Sequence, residues 1–189
     1  MPYDEPRWMG GIGMIGTKAV YNAVMHCDLL LMVGTDYPYS EFLPHAGTVI
    51  QIDERLQVLG RRAPTLLGVA GSARPTLKLL LEAVAAKDDS RFWDKVGEER
   101  RKWEEMLDKQ ADLKRSVDHI HPQAVARTVS DLAKPDAVFT LDTGLNTLWS
   151  ANWIRQRGSQ RIIGSSTMRP WERHWVRPMG RKPWIALVR

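Results

Sequence analysis

The sequence predicts an α/β fold, a doubly wound parallel sheet followed by the start of a second α/β unit, on three observations. Two short apolar runs, Leu29-Leu30-Leu31-Met32-Val33 and Thr48-Val49-Ile50-Gln51-Ile52, stop at the polar residues Gly34-Thr35-Asp36 and Asp53. Each run has the length of a buried strand, and its polar stop supplies a loop. Amphipathic helical segments alternate with these runs, and the strand-then-polar-tip layout recurs at Ala137-Val138-Phe139-Thr140-Leu141 followed by Asp142-Thr143-Gly144. Such alternation implies parallel strands joined by helical crossovers, and open sheets of this kind bind ligands outside the carboxyl ends of their strands. The tips near positions 35 and 53 therefore point to one candidate nucleotide pocket.

In chain order, a glycine-rich loop at 10–16 opens a helix over 17–26, and the strands 29–33 and 48–52 follow. A short segment at 54–60 leads to a third apolar stretch at 66–70. Ser72 has the side chain of an N-cap, and Leu77, Leu80, Leu81 and Val84 recur behind it at helical spacing, which predicts a helix over 73–86 laid on the sheet. From 87 to 118, Phe92, Trp93, Val96, Trp103, Met106 and Leu107 sit among many charges, the pattern of a long, mostly exposed amphipathic helix. Residues 88–118 thus read as a helical linker between a central domain, 1–87, and an incomplete second α/β domain, 119–166. In that second domain Pro122 suits the first turn of a helix carrying Val125, Val129 and Leu132, which Lys134-Pro135-Asp136 ends. The strand at 137–141, a helix with Leu148, Trp149 and Ile154, and the stretch Arg161-Ile162-Ile163-Gly164-Ser165-Ser166 complete it.

A chain of 189 residues, 43% apolar, holds one packed domain or one domain and part of another. Its apolar runs fall far short of the roughly 18 residues of a membrane span, and Met1-Pro2-Tyr3-Asp4-Glu5 does not read as a signal peptide, so a cytoplasmic protein is expected. Cys27 is the only cysteine, which excludes a disulfide framework and a cysteine-based metal cluster, and it reads as a small core residue rather than a nucleophile. The net charge of +5 resides in the tail: residues 168–189 carry six Arg or Lys against Glu172, while the other 167 residues balance 21 basic against 21 acidic side chains. The body offers no electrostatic footprint for nucleic acid.

Gly11-Ile12-Gly13-Met14-Ile15-Gly16 matches the G-x-G-x-x-G pattern, in which glycines let backbone N–H groups approach a pyrophosphate. It lacks a preceding strand and an acid about 20 residues on, so a tight, closely packed turn explains it equally well. Thr35 and Asp36 are suited to a phosphate or ribose, and Asp53 to a ribose diol or to an N-cap for the segment after it.

Taken together, Gly13-Met14-Ile15-Gly16-Thr17, Cys27-Asp28-Leu29-Leu30, Val33-Gly34-Thr35-Asp36-Tyr37-Pro38-Tyr39 and Val49-Ile50-Gln51-Ile52-Asp53 resemble the central domain of thiamine-diphosphate-dependent enzymes. The Gly-Thr-x-x-Pro-Tyr turn is most similar to the pyruvate dehydrogenase (quinone) and pyruvate oxidase branch. The resemblance continues through Ile120-His121-Pro122 and Phe139-Thr140-Leu141-Asp142-Thr143-Gly144 to Gly164-Ser165. It implies a flavoenzyme that oxidatively decarboxylates pyruvate to acetate and carbon dioxide, passing electrons through FAD to a quinone or to oxygen. By position, Ile12, Gly13, Met14 and Ile15 would line FAD, Thr35, Asp36, Tyr37, Pro38 and Tyr39 would hold its phosphate and ribose portion, and Asp53 would engage the adenosine ribose. Thr143 and Gly144 fall where the last domain of the family cradles the diphosphate of thiamine diphosphate, and Ser72 stands where relatives usually carry Asp.

The family's activating Glu and its Gly-Asp-Gly…Asn magnesium segment do not appear in the sequence, so no catalytic residue and no metal ligand is assigned. The chain is expected to be a fragment, cut at both ends and inactive alone. The parent enzyme is expected to be a homotetramer, and peripheral association with the inner face of the plasma membrane is an expectation for the parent alone. Residues 168–189, with three Trp and three Pro, resemble no element of the family. Back-translated with suitably chosen codons and read two bases out of frame, they can yield a small-residue sequence similar to the helix that opens the thiamine-diphosphate domain, so a frameshift near Thr167 is expected, and resequencing the locus tests it. Two alternatives stand beside the oxidase: an acetolactate synthase-like carboligase or 2-oxo acid decarboxylase with a structural middle domain, and a free-standing nucleotide-binding module.

Overall fold

The computed structural model describes residues 3–45 and 48–164. The expectations for Ser165, Ser166 and the tail lie outside the described residues. Two units emerge: residues 9–100, and residues 3–8 together with 101–164.

The first unit starts at Thr17, whose hydroxyl donates to the Met9 carbonyl at 2.8 Å and accepts the Val20 N–H at 3.2 Å. That N-cap launches α1, Lys18–His26, which leads into β1, Leu29–Val33. Next come β2, Thr48–Asp53, and β3, Leu67–Ala70, and the three strands pair in parallel in the order β1-β2-β3. Register pairs Leu30 with Val49, Met32 with Gln51 and Ile52 with Val69. Paired residues of parallel strands point to one face, so Leu30, Met32 and Val49 share a surface, which Leu43, Ala63 and Tyr37 cover from the loops. Each large apolar side chain fully buried there contributes about 1.5–3 kcal/mol.

The other face is covered unevenly, with Ile52 buried near the strand ends. Leu29, Leu31 and Leu67 stay exposed, and α2, Ala73–Ala83, buries none of its residues. This helix ends three residues before the predicted 86, where the Val84 N–H closes on the Leu80 carbonyl. Leu81 is 81% exposed and Val84 is exposed with it, so burial does not carry the helix further. The stripe that predicts a helix laid on the sheet is real as a pattern and largely unburied among the described residues.

Helix α3, Arg91–Gln110, passes from the first unit into the second, the division falling after residue 100. Within the first unit Asn22 Nδ2 donates to Glu99 Oε2 at 2.7 Å and ties α1 to it. The predicted linker helix to 118 stops at Gln110. Asp112 takes the Lys114 N–H at 2.9 Å and diverts the chain into a single tight turn, Leu113–Arg115.

In the second unit α4, Pro122–Leu132, carries Pro at its first turn, followed by β4, Val138–Leu141, α5, Leu145–Trp153, and β5, Arg161–Gly164. Strands β4 and β5 pair in parallel with Phe139 beside Ile162. Leu107, Ala111 and Trp153 form the core, and Trp153 Nε1 donates to the Leu107 carbonyl at 2.9 Å. On α4, Ala124 and Ser130 are buried, while Val125 and Leu132 are exposed. Residues 3–8 join this unit through the Tyr3 N–H, 3.0 Å from the Gln156 carbonyl, and through Arg155, 5.0 Å over the Tyr3 ring. No described helix is long and apolar enough to cross a membrane.

Candidate functional site

Three strand ends meet at one edge of the first unit. The Gly34 N–H donates to the Ile52 carbonyl at 2.8 Å, and the Gly71 N–H to the Asp53 carbonyl at 3.1 Å, so the tips of β1, β2 and β3 stand side by side. Between them lies a hollow of about 310 Å³, walled by Gly34 on one side, Ile52 to Arg55 in the middle and Gly71 to Ala73 on the other. That volume is at the lower end of the range for small-molecule sites, enough for a nucleoside-sized group. At Gly34, φ is +60° and an added Cβ would meet nothing within 4 Å, so the β1 side is open. Ser72 occupies the N-cap position of α2 without donating or accepting a capping bond.

Asp53 is the charged floor of this hollow, only 4% exposed. Its Oδ1 accepts the Arg55 backbone N–H at 2.8 Å and Arg55 Nε at 3.2 Å, while Arg55 Nη2 lies 3.5 Å from Oδ2. The Arg55 side-chain hydrogen bond, and then its backbone N–H, hold the Asp53 carboxyl below the usual carboxylate range, so it is ionised at neutral pH. A carboxylate offers about four acceptor sites, and Oδ2 retains capacity for a hydroxyl donor.

Asp36 has a different role. Arg62 Nε at 2.9 Å and Arg61 Nη1 at 3.2 Å clamp it, and the Arg62 bond chiefly lowers its pKa. The pair of ion pairs ties the loop after β1 to the loop after β2. Gln51, fully buried, does the same from below: its Nε2 donates to the Thr35 carbonyl at 3.2 Å and its Oε1 accepts the Gly60 N–H at 2.9 Å.

The glycine loop is folded on itself. The Gly16 N–H donates to the Gly13 carbonyl and the Thr17 N–H to the Gly11 carbonyl, both at 2.9 Å. A Cβ on Gly16 would stand 2.4 Å from the Gly11 oxygen, and one on Gly13 2.7 Å from the Tyr37 hydroxyl. These glycines therefore have a packing reason for being glycine. Tyr37 Oη is buried without a hydrogen-bond partner, and Met14 is 84% exposed.

Of the residues singled out from sequence, the structure brings Asp53 and Ser72 into the hollow. Ile12, Gly13, Met14 and Ile15, and Thr35, Asp36, Tyr37, Pro38 and Tyr39, do not line it; Gly13 and Tyr37 meet each other instead. Gly34, Glu54, Arg55, Gly71 and Ser72 do line it. The signal for Arg55 was present as Asp53-Glu54-Arg55, an acid at a strand end with a base two residues on. In the second unit, Asp142 follows β4 and its Oδ1 accepts the Thr143 N–H at 2.7 Å. Gly144, at φ +134°, starts α5. Thr147 closes that turn by donating its hydroxyl to the Asp142 carbonyl at 3.1 Å.

Residues 1–80 match the family model described as thiamine pyrophosphate enzyme, central domain. The Bacillus subtilis protein YdaP, whose name associates it with thiamine pyrophosphate, is 32% identical over 180 residues, 95% of this chain and 30% of its own. A pyruvate oxidase of Lactiplantibacillus plantarum is 26% identical over 85% of this chain and 27% of its own. An acetolactate synthase isozyme 2 large subunit of Escherichia coli is 27% identical over 86% and 29%. The chain spans less than a third of the length of each of these relatives.

Proposed function

We propose that residues 1–80, which match the thiamine pyrophosphate enzyme central domain, hold the adenosine end of FAD in an enzyme that oxidatively decarboxylates pyruvate to acetate and carbon dioxide. FAD held there would supply the two-electron acceptor for converting pyruvate and water to acetate and carbon dioxide, with a quinone or oxygen as the final oxidant. The observation that carries the proposal is the buried, ionised Asp53 at the floor of a hollow formed by three parallel strand tips. Its Oδ2, with Arg55 Nη2 at a long 3.5 Å, keeps acceptor capacity for a ribose hydroxyl while Oδ1 is held by Arg55. Gly34 leaves the β1 side open for close approach, and the unengaged Ser72 hydroxyl lies on the opposite wall. The aromatic turn Tyr37-Pro38-Tyr39 favours the oxidase branch. Thr143 and Gly144, at the start of α5, would approach the diphosphate of thiamine diphosphate.

A second proposal keeps the cofactor and changes the reaction: a carboligase of the acetolactate synthase type, in which the nucleotide is structural. The comparable identities to a pyruvate oxidase, 26%, and to an acetolactate synthase, 27%, favour neither branch. Acetate with a reduced acceptor, against acetolactate, is the product analysis that separates them.

The cofactor proposal is tested by titrating the full chain with FAD and following quenching of flavin fluorescence. Saturable uptake is expected, and Asp53→Ala is expected to weaken it about 10- to 100-fold, since hydrogen bonds to a charged acceptor are worth about 1.5–3 kcal/mol. A folded chain that leaves free FAD fluorescence unchanged refutes the proposal.

A further inference from the structure

Resting on the nucleotide proposal above, we infer that this hollow accepts an adenosine ribose with a free 2′-hydroxyl and refuses the 2′-phosphate, with Arg55 a phosphate-binding group silenced by Asp53. In dinucleotide sites generally, an acid at the strand end takes the ribose diol and a nearby Arg takes a 2′-phosphate. Here both reside in one tripeptide, Asp53-Glu54-Arg55, and all three residues line the hollow.

Geometry puts the carboxylate in control. Asp53 is buried and accepts the backbone N–H of Arg55 as well as its Nε, so the guanidinium is drawn onto the carboxylate and its charge is paired. The longer 3.5 Å approach of Nη2 to Oδ2 leaves that oxygen with capacity for a hydroxyl donor. A 2′-phosphate would instead bring negative charge against Asp53 and Glu54, in a partly desolvated space where like charges repel more strongly than in water. Removing the Asp53 charge reverses the balance. The other nearby acid, Asp36, attracts Arg55 through its charge but has its carboxylate oxygens clamped by Arg61 and Arg62, so it competes weakly for the released guanidinium. Arg55, its side chain 54% exposed at the wall of the hollow, is then available for bidentate contact with phosphate oxygens.

Calorimetric titration of the full chain with 5′-AMP and with adenosine 2′,5′-bisphosphate tests this, because the two probes differ only in the 2′-phosphate. The native chain is expected to bind AMP at least tenfold more tightly. Asp53→Asn, which keeps the side-chain size and removes the charge, is expected to invert the ratio, and adding Arg55→Leu to it is expected to abolish the gain. Arg55→Leu alone is expected to widen the native preference, which keeps the inference falsifiable should the Asp53 variant fail to fold by circular dichroism. A native chain that binds AMP without discriminating against the bisphosphate overturns the inference and leaves the nucleotide proposal standing. So does an Asp53→Asn chain with an unchanged ratio, or an Arg55→Leu chain whose preference narrows. Uptake of neither AMP nor FAD by the folded native chain overturns both.

Discussion

Gly13→Ala probes the contact that joins the glycine loop to the turn after β1. Gly13 sits at φ +114°, and an added Cβ would lie 2.7 Å from Tyr37 Oη and 3.8 Å from Tyr37 Cζ. Two costs therefore separate cleanly. The backbone cost of a non-glycine residue at positive φ is about 1–2 kcal/mol. The steric cost comes from the hydroxyl, which must withdraw. The Tyr37 ring packs on the cluster of Met32, Leu43, Val49 and Ala63 and stands edge-on to Tyr39 with centroids 5.7 Å apart, so displacing it costs about 1–2 kcal/mol more. Tyr37→Phe deletes that hydroxyl and leaves an ordinary van der Waals contact. The hydroxyl is buried without a partner, so its deletion is itself neutral or stabilising. Urea unfolding of the four chains of the double-mutant cycle is the assay. Gly13→Ala is expected to cost about 2–4 kcal/mol in the native background and about 1–2 kcal/mol in the Tyr37→Phe background, a coupling of about 1–2 kcal/mol. A coupling below about 0.5 kcal/mol, within the scatter of independent sites, refutes the contact.

Two further outcomes are expected. Gln51→Leu leaves the Thr35 carbonyl and the Gly60 N–H without their buried partner; a loss of about 2–4 kcal/mol in urea unfolding is expected, with faster amide exchange at Gly60, and native-like stability would show that the bridge is absent. Asp36 titrates below its ordinary range in the folded chain because Arg62 bonds it, so its contribution is present above the unfolded value of about 3.9 and fades as pH falls through the lower folded value. Asp36→Asn is therefore expected to lower the urea midpoint at pH 7 and to converge with the native chain as pH falls through the lowered folded value, whereas a deficit that persists unchanged into acid contradicts the ion-pair account.

What could be read along the chain was local. Five consecutive apolar residues ending at Gly34 specify β1, and the hydroxyl of Thr17 and the ring of Pro122 specify the starts of α1 and α4, because strand length, capping and proline geometry are settled within a few residues. Boundaries that depend on burial were less legible. Helix α2 ends early because Leu81 and Val84 have nothing to bury against among the described residues, and the linker helix ends early because Asp112 bonds its own backbone neighbourhood.

The candidate site divides along the same line. Sequence by itself determined that two strands end in polar tips and that Asp53 is one of them, since an apolar run interrupted by an acid carries that information without reference to any other part of the chain. Only the tertiary structure decided what each polar group does: Asp36 closes on Arg61 and Arg62, Gly13 makes room for the Tyr37 hydroxyl, and Asp53 shares its hollow with Arg55 and Ser72. Charge and hydrogen-bonding capacity are properties of a residue, whereas the partner that uses them is chosen by packing between segments far apart in sequence.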